Sequence, residues 1–176
     1  MECLQTKRLI LRPFLLEDAE DTFAYCRDPQ VGLAAGWQPH RTIQETQEII
    51  ETVFAQPHVF AVVEKVTGQV IGSAGYVGKH REDFPGFNDE LGYALSPAFW
   101  GQGLMPEAVA ELLRYGFVDR GLDVIWCNYY DGNDRSRRVI EKCGFRVRAT
   151  ETEWVEAMGE TRTVILCAMT REEWAS

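Results

Sequence analysis

The stretch ELGYALSPAFWGQGLMPEAVAELL, Glu90 to Leu113, packs a strand, a corner and a helix into two dozen residues. Its first residues, with Asp89 before them, read as a strand, and Pro97 stops the run. Beyond the corner, Val109, Leu112, Leu113 and then Phe117 share one face at helical spacing, which predicts a helix ending near Gly121. Between them stand Gly101 and Gly103. A helix start leaves main-chain N–H groups without intrahelical partners and carries the positive end of the helix dipole, so it suits an anion. Glycines there let a phosphate approach the amides of residues 101 to 105 closely. The same two glycines also fit a tight turn that needs them only for its dihedrals. No G-K-[ST] follows the corner and no G-x-G-x-x-G fingerprint occurs, which argues against a P-loop nucleotidase and a dinucleotide fold.

Working outward, KRLILRPF reads as a first strand and LLEDAEDTFAYCRD as a helix. Thr42 and Glu45 fit a capping box, and Ile49, Ile50, Val53 and Phe54 continue it as an apolar stripe ending before Pro57. VFAVVEKV and QVIGSAGYV, separated by Thr67-Gly68, predict an antiparallel hairpin. The polar loop GKHREDFPGFND is placed at an entrance. After the corner helix come a strand, DVIWCNYY, and a short helix, NDRSRRVIEKCG, capped by Asn133 or Asp134. RVRATETEWV and TRTVILCAM close the chain as a pair of strands. This order predicts an α+β fold, a mixed and mostly antiparallel sheet of about seven strands flanked by helices, in one domain over 1–176.

The 176 residues are 45% hydrophobic and 26% charged, the balance of an ordinary globular chain. A net charge of -9 argues against a general grip on nucleic acid or anionic lipid and mildly favours cationic partners, although Asp134 to Arg148 is locally basic. Five cysteines without a C-x-x-C pair predict reduced, buried thiols, and no stretch reads as a signal peptide or a membrane span. A cytoplasmic location is the resulting expectation. His40, His58 and His80 lack ligand spacing, so no metal is expected.

WGQGLMPEA and NDRSRRVIEKCGF, each preceded by a strand, together resemble the acetyl-CoA-binding core of the GNAT N-acetyltransferase superfamily. The opening TKRLILRPFLLEDAEDTFAYCRDPQV is similar to the RimJ/RimL-type branch, which acetylates N-termini of ribosomal proteins. The family's loop has Arg or Gln, two variable residues, Gly, one variable residue, then Gly or Ala. Here Trp100, Gly103 and Met105 hold those positions, so two of three depart, and Trp100 matches the Rim-type branch. The resemblance implies a GNAT fold splayed between the fourth and fifth strands. It puts the diphosphate of coenzyme A on Gly101, Gln102, Gly103, Leu104 and Met105, and the pantetheine arm on the main chain near Ala94 and Leu95. Asn133 would hold that arm, and Ser136 would stand near the sulfur as acid. A tyrosine that many members carry seven residues after the Asn is Ile140 here, which leaves Ser136, Tyr129, Tyr130 or water to protonate the thiolate.

Acetyl transfer to nitrogen needs a neutral amine, and reference pKa values make deprotonation at pH 7 cost roughly 1 to 1.4 kcal/mol for an α-amine and about 4.6 for lysine. Glu90, at the start of the strand, is the candidate base by resemblance, and it competes with a solvated strand-end carboxylate. Asp89 should face the other way. Among Arg135, Arg137, Arg138 and Lys142, Arg138 is taken as the contact to the ribose phosphate, with a solvated helix face as the alternative. Trp37, Gln38 and His40 occupy the loop between the first two predicted helices, where the family builds its acceptor wall, and Tyr129 is assigned to the same wall.

The resulting expectation is direct attack in a ternary complex on acetyl-CoA by a protein N-terminal α-amine. A small amine such as a polyamine or amine antibiotic, and a catalytically silent acyl-CoA-binding module, stay open. Relatives often pair, so a homodimer is admitted.

Overall fold

Residues 2–176 are described by a computed structural model. Eight strands form one sheet in the order β1-β2-β3-β4-β5-β6-β8-β7. They are β1 (Leu4–Gln5), β2 (Leu9–Arg12), β3 (Val59–Glu64), β4 (Val70–Tyr76), β5 (Asn88–Leu95), β6 (Val124–Tyr130), β7 (Arg146–Val155) and β8 (Glu160–Thr170). Every neighbouring pair is antiparallel except β5 and β6. The expected hairpin is β3–β4 and the expected closing pair is β7–β8. The eighth strand, β1, is a two-residue edge segment too short to show a period in sequence.

β4 is buried along its whole length, as a strand covered on both faces must be. One cover is α4 (Leu104–Arg114), whose Leu104, Met105, Ala108, Val109, Leu112 and Leu113 form the apolar stripe read from sequence. A π turn over Tyr115–Asp119 continues it and buries Phe117. α5 (Asp134–Lys142) lies on the same side through Ile140. The other face is covered by α1 (Ala19–Cys26) and α2 (Pro29–Ala35), with α3 (Ile43–Thr52) packed against α1. Two helices escaped the sequence reading. α2 has seven residues with Gly32 inside, although Asp28 caps it and Pro29 opens it, and α6 (Arg171–Ala175) is one turn. The Trp37–His40 segment therefore joins α2 to α3 rather than α1 to the next helix. Thr42 caps α3 by accepting from the Glu45 N–H at 3.1 Å, but Glu45 reaches back to the Arg41 N–H at 2.7 Å, so the reciprocal box is not closed. All five cysteines are free; Cys26, Cys127 and Cys167 are buried, Cys143 is half-buried and Cys3 is exposed, against the expectation for that residue.

Asp89 and Arg120 form a buried ion pair at 2.9 Å, with Arg120 lying over the Tyr76 ring. Asp89 Oδ1 also accepts the Lys79 N–H at 2.9 Å, and Arg120, paired through Nη2, has no hydrogen-bond partner at its buried Nη1. Removing the charge of one member leaves the other uncompensated inside the protein. Asp89→Asn is expected to lose about 3–5 kcal/mol of stability in a urea titration.

Candidate active site

β5 and β6 run together only from Asn88 to Glu90, opposite Val124 to Trp126. Beyond Glu90, β5 stays with β4 and β6 stays with β8, so a slot opens between them and Glu90 stands at its fork. This is the splay implied between the fourth and fifth predicted strands. A cleft of about 910 Å³ runs through the slot. Alternation along the strands sorts its lining. Leu91, Tyr93, Leu95, Cys127 and Tyr129 face α4 and α5, while Glu90, Ala94, Asn128 and Tyr130 face the side of α1 to α3.

The main chain alternates too. Val77 N–H donates to Glu90 O at 3.0 Å and Ser96 N–H to Ile71 O at 2.7 Å, so even-numbered residues of β5 turn their amides toward β4. Ala94, opposite Ser73, is thus spent on the sheet and cannot meet a pantetheine arm through its main chain, contrary to expectation. Tyr93 and Leu95 turn theirs toward the slot instead. The Leu95 carbonyl is taken by the Trp100 indole N–H at 2.8 Å, which ties the corner back onto β5.

At the corner, Gly101 and Gly103 have φ of 75° and 74°. A Cβ on Gly101 would meet no atom within 4 Å, and one on Gly103 only Arg8 Nη2 at 3.7 Å. The glycines serve the left-handed backbone, and the outer side of the loop is clear. Pro106 has no N–H, and Glu107 N–H donates to Gly103 O at 3.2 Å. Among the described residues, the N–H groups of Gly101, Gln102, Gly103, Leu104 and Met105 find no main-chain acceptor. Five adjacent free donors at a helix start fit a diphosphate.

Charge around this cradle is arranged. Glu107, in the first turn, accepts from Thr6 Oγ1 at 2.5 Å and from Arg8 N and Nε, each at 2.7 Å, and Arg8 Nη1 donates to Gln102 O at 3.0 Å. Burial raises the Glu107 pKa, but the bonds from Thr6 and Arg8 hold it below the ordinary value, so an ionised carboxylate sits there with its charge matched. Arg135 stacks on the Trp100 ring at 4.0 Å, and Arg138 and Lys142 line the cleft. Arg137 is turned to Asp134 at 3.0 Å and Glu141 at 3.9 Å.

Glu90 Oε1 accepts from Asn128 Nδ2 at 3.3 Å. Its Oε2 lies 2.9 Å from Lys79 Nζ, close enough for an ion pair although not aligned as a hydrogen bond. Asp89 is excluded as a rival because its carboxylate is buried on Arg120. Across the slot, Tyr93 Oη and Ser136 Oγ are 2.8 Å apart. Burial pushes the Tyr93 phenol well above its ordinary pKa, so it keeps its proton at neutral pH. Tyr129, raised by burial, is half-buried nearby, and Tyr130, pushed up to about 12 by burial, donates to Glu153 Oε1 at 3.1 Å.

Asn133 has structural partners at both of its polar atoms. Its Oδ1 accepts from Ser136 N–H at 3.2 Å as the cap of α5, and its Nδ2 donates to Ala34 O at 3.4 Å, tying α5 to α2. The cap is the one read from sequence, and Asn133 also lines the cleft. Trp37 and His40 line the cleft, 5.4 Å apart between ring centres. His40 is buried; its Nδ1 is 2.8 Å from Thr46 Oγ1, and burial lowers its pKa, which leaves it neutral and wall-forming. Tyr93, Lys79, Asn128 and the Arg8–Glu107 pair were missed in sequence. Only Tyr93 carried a signal, since it lies three positions from Glu90 and so points across the sheet from it.

Burial pushes the Cys26 thiol to about 12 and Cys143 and Cys167 to about 11, so none is a ready nucleophile. No group of three or more His, Cys, Asp or Glu among the described residues is placed to hold a metal, and no helix there is long and apolar enough to cross a membrane.

A family model for the acetyltransferase (GNAT) domain matches residues 8–146. The uncharacterized N-acetyltransferase p20 of Bacillus licheniformis is 28% identical over 99% of both chains. The FsC-acetyl coenzyme A-N(2)-transacetylase of Aspergillus fumigatus is 30% identical over 97% of this chain and 77% of its own. The [ribosomal protein uS5]-alanine N-acetyltransferase of Escherichia coli is 27% identical over 65% and 58%. Among solved structures, a GNAT-family acetyltransferase from Bacillus anthracis superposes with a TM-score of 0.86 at 23% identity, covering 98% of this chain and 100% of that one. Spermidine N-acetyltransferase of Vibrio cholerae, in complex with coenzyme A and spermine, has a TM-score of 0.80 at 16% identity over 96% and 99%. With its sheet forked at Glu90 and a family match over most of its length, this chain belongs to the GNAT family of acetyl-CoA-dependent N-acetyltransferases.

Proposed function

We propose that the acceptor is the α-amine of a protein N-terminus, bound together with acetyl-CoA so that the amine attacks the thioester directly. The fork at Glu90 carries this reading: it is where the open slot, an ion-paired carboxylate and the acceptor-side wall meet. Acetyl-CoA supplies the activated acetyl group. The amides of Gly101 to Met105, with Trp100, Arg135 and Arg138 around them, bind its phosphates, and Tyr93 and Leu95 present main chain to its arm. Glu90 takes the proton of the acceptor ammonium, and the Tyr93–Ser136 pair donates toward the departing sulfur.

Glu45 and Glu90 are the only carboxylates lining the cleft among the described residues, and Glu45 is occupied by Arg41. The acceptor side also carries the apolar Trp37, Ile49, Val53, Phe54 and Val77, beside the uncharged Gln38, His40 and Gln56 and the cationic Lys79. Such a wall suits a singly charged terminus with an uncharged side chain better than a polycation. The easier deprotonation of an α-amine, by roughly 3 kcal/mol against lysine, points the same way.

Thiol release from acetyl-CoA over peptides of varied first residue, spermidine and an amino sugar tests the reading. Peptides are expected to react fastest. Faster turnover of the small amines moves the acceptor class, and tight coenzyme A binding with no release makes the chain a silent module. Ser136→Ala and Tyr93→Phe should each lower kcat about tenfold with the KM for acetyl-CoA nearly unchanged, because a thiol of pKa about 8.5 leaves tolerably without an acid. Stopped-time thiol assays at saturating peptide check this.

A further inference from the structure

We infer that the site has a second activity, transfer of the acetyl group to Lys79 of its own chain when no acceptor is present. This rests on the reading of Glu90 as the base beside a bound thioester. Lys79 Nζ sits 2.9 Å from Glu90 Oε2 and lines the cleft, so an amine of the protein already occupies the contact assigned to the acceptor ammonium.

The lysine is held there by its backbone. Its own N–H donates to Asp89 Oδ1 at 2.9 Å, and two residues earlier Val77 N–H donates to Glu90 O at 3.0 Å. Two residues later Arg81 exchanges bonds with Asn88, Arg81 N–H to Oδ1 at 2.9 Å and Nδ2 to Arg81 O at 3.0 Å. The root of the side chain is thus fixed beside β5, while the side chain itself is 68% exposed along the slot with its amine on Glu90. The other three lysines are placed differently. Lys65 Nζ donates to Thr6 O at 2.6 Å, Lys142 lines the cleft from α5 on the phosphate side, and Lys7 precedes β2.

The step balances without any co-reactant beyond acetyl-CoA. Glu90 takes one proton from the Lys79 ammonium, and Nζ forms a bond to the acetyl carbonyl carbon. The C–S bond breaks, the sulfur leaves with its electron pair and takes the second proton given up by the nitrogen by way of the Tyr93–Ser136 pair, the product amide keeps its one N–H, and Glu90 releases the first proton to water. Lysine is the harder amine to deprotonate, at about 4.6 kcal/mol at pH 7, but tethering offsets part of that. The modification is slow and happens once per chain.

Deuterated acetyl-CoA added to the purified full chain without acceptor tests it, since the label separates acetyl groups gained in the tube from those carried from the cell. Peptide mapping is expected to find Lys79 labelled at least about tenfold faster than Lys65, which reports the uncatalysed rate. The rate per molecule should not change with protein concentration, an acceptor peptide should slow it, and Glu90→Gln should bring Lys79 down to the Lys65 rate. Labelling of Lys79 no faster than Lys65, in a preparation that acetylates peptides, overturns the inference and leaves the proposed function standing. A preparation that labels neither Lys79 nor any amine overturns both.

Discussion

Glu90→Gln is expected to lower kcat by about a hundredfold or more while leaving the Kd for acetyl-CoA unchanged. The two readouts separate because the residues that would serve them are separate. Glu90 stands at the fork, and the free amides of Gly101 to Met105 stand beyond the far end of β5. Glutamine keeps an oxygen for Asn128 Nδ2 but cannot take a proton from the acceptor. Stability should move little, since the lost ion pair is to a mostly exposed lysine. Asp89→Asn one residue earlier should do the reverse, unfolding at lower urea because Arg120 is left with an unmatched buried charge. Steady-state kinetics with isothermal calorimetry on both variants checks the pair. Undiminished turnover in Glu90→Gln removes that carboxylate from the chemistry and passes the proton to water.

The frame of this fold was legible because its signals are local. The stripe of Val109, Leu112 and Leu113, the capping hydroxyl of Thr42 and the Thr67-Gly68 break each act within a few residues, and each marks a real boundary. Signals needing length failed. β1 is two residues, and α2 hides a good cap and a first-turn proline behind an internal glycine. The site was half legible for a related reason. Gly101, Gly103 and Glu90 could be read from a corner and a strand end. Tyr93 and Ser136 meet across 43 positions and Lys79 meets Glu90 from a loop, contacts that no periodicity encodes. Ala94 was misread because the side to which a strand residue turns its amide depends on its neighbours, and here β4 claims the even positions. Asn133 shows one residue type serving two purposes, with capping and an interhelix tie using both of its polar atoms.

Whether the glycine corner is a cradle or only a turn is decided by comparing Gly101→Asp with Gly101→Asn. Both side chains tolerate the left-handed backbone that a φ of 75° demands, and neither Cβ meets an atom within 4 Å, so the two variants carry the same strain and should melt together. They differ in one negative charge beside five free amides at a helix start. If those amides grip a diphosphate, the aspartate repels it across a few ångströms. At an effective dielectric near that of a protein surface, and after screening, this is worth about 1.4 to 3 kcal/mol. Coenzyme A should therefore bind the Asp variant about ten- to a hundredfold more weakly than the Asn variant. The gap should narrow as salt rises and vanish for S-acetyl-pantetheine, which lacks the diphosphate. Equal affinities for coenzyme A in the two variants would reduce Gly101 to a turn residue, and the phosphates would then have to be held by Arg135, Arg138 and Lys142 alone.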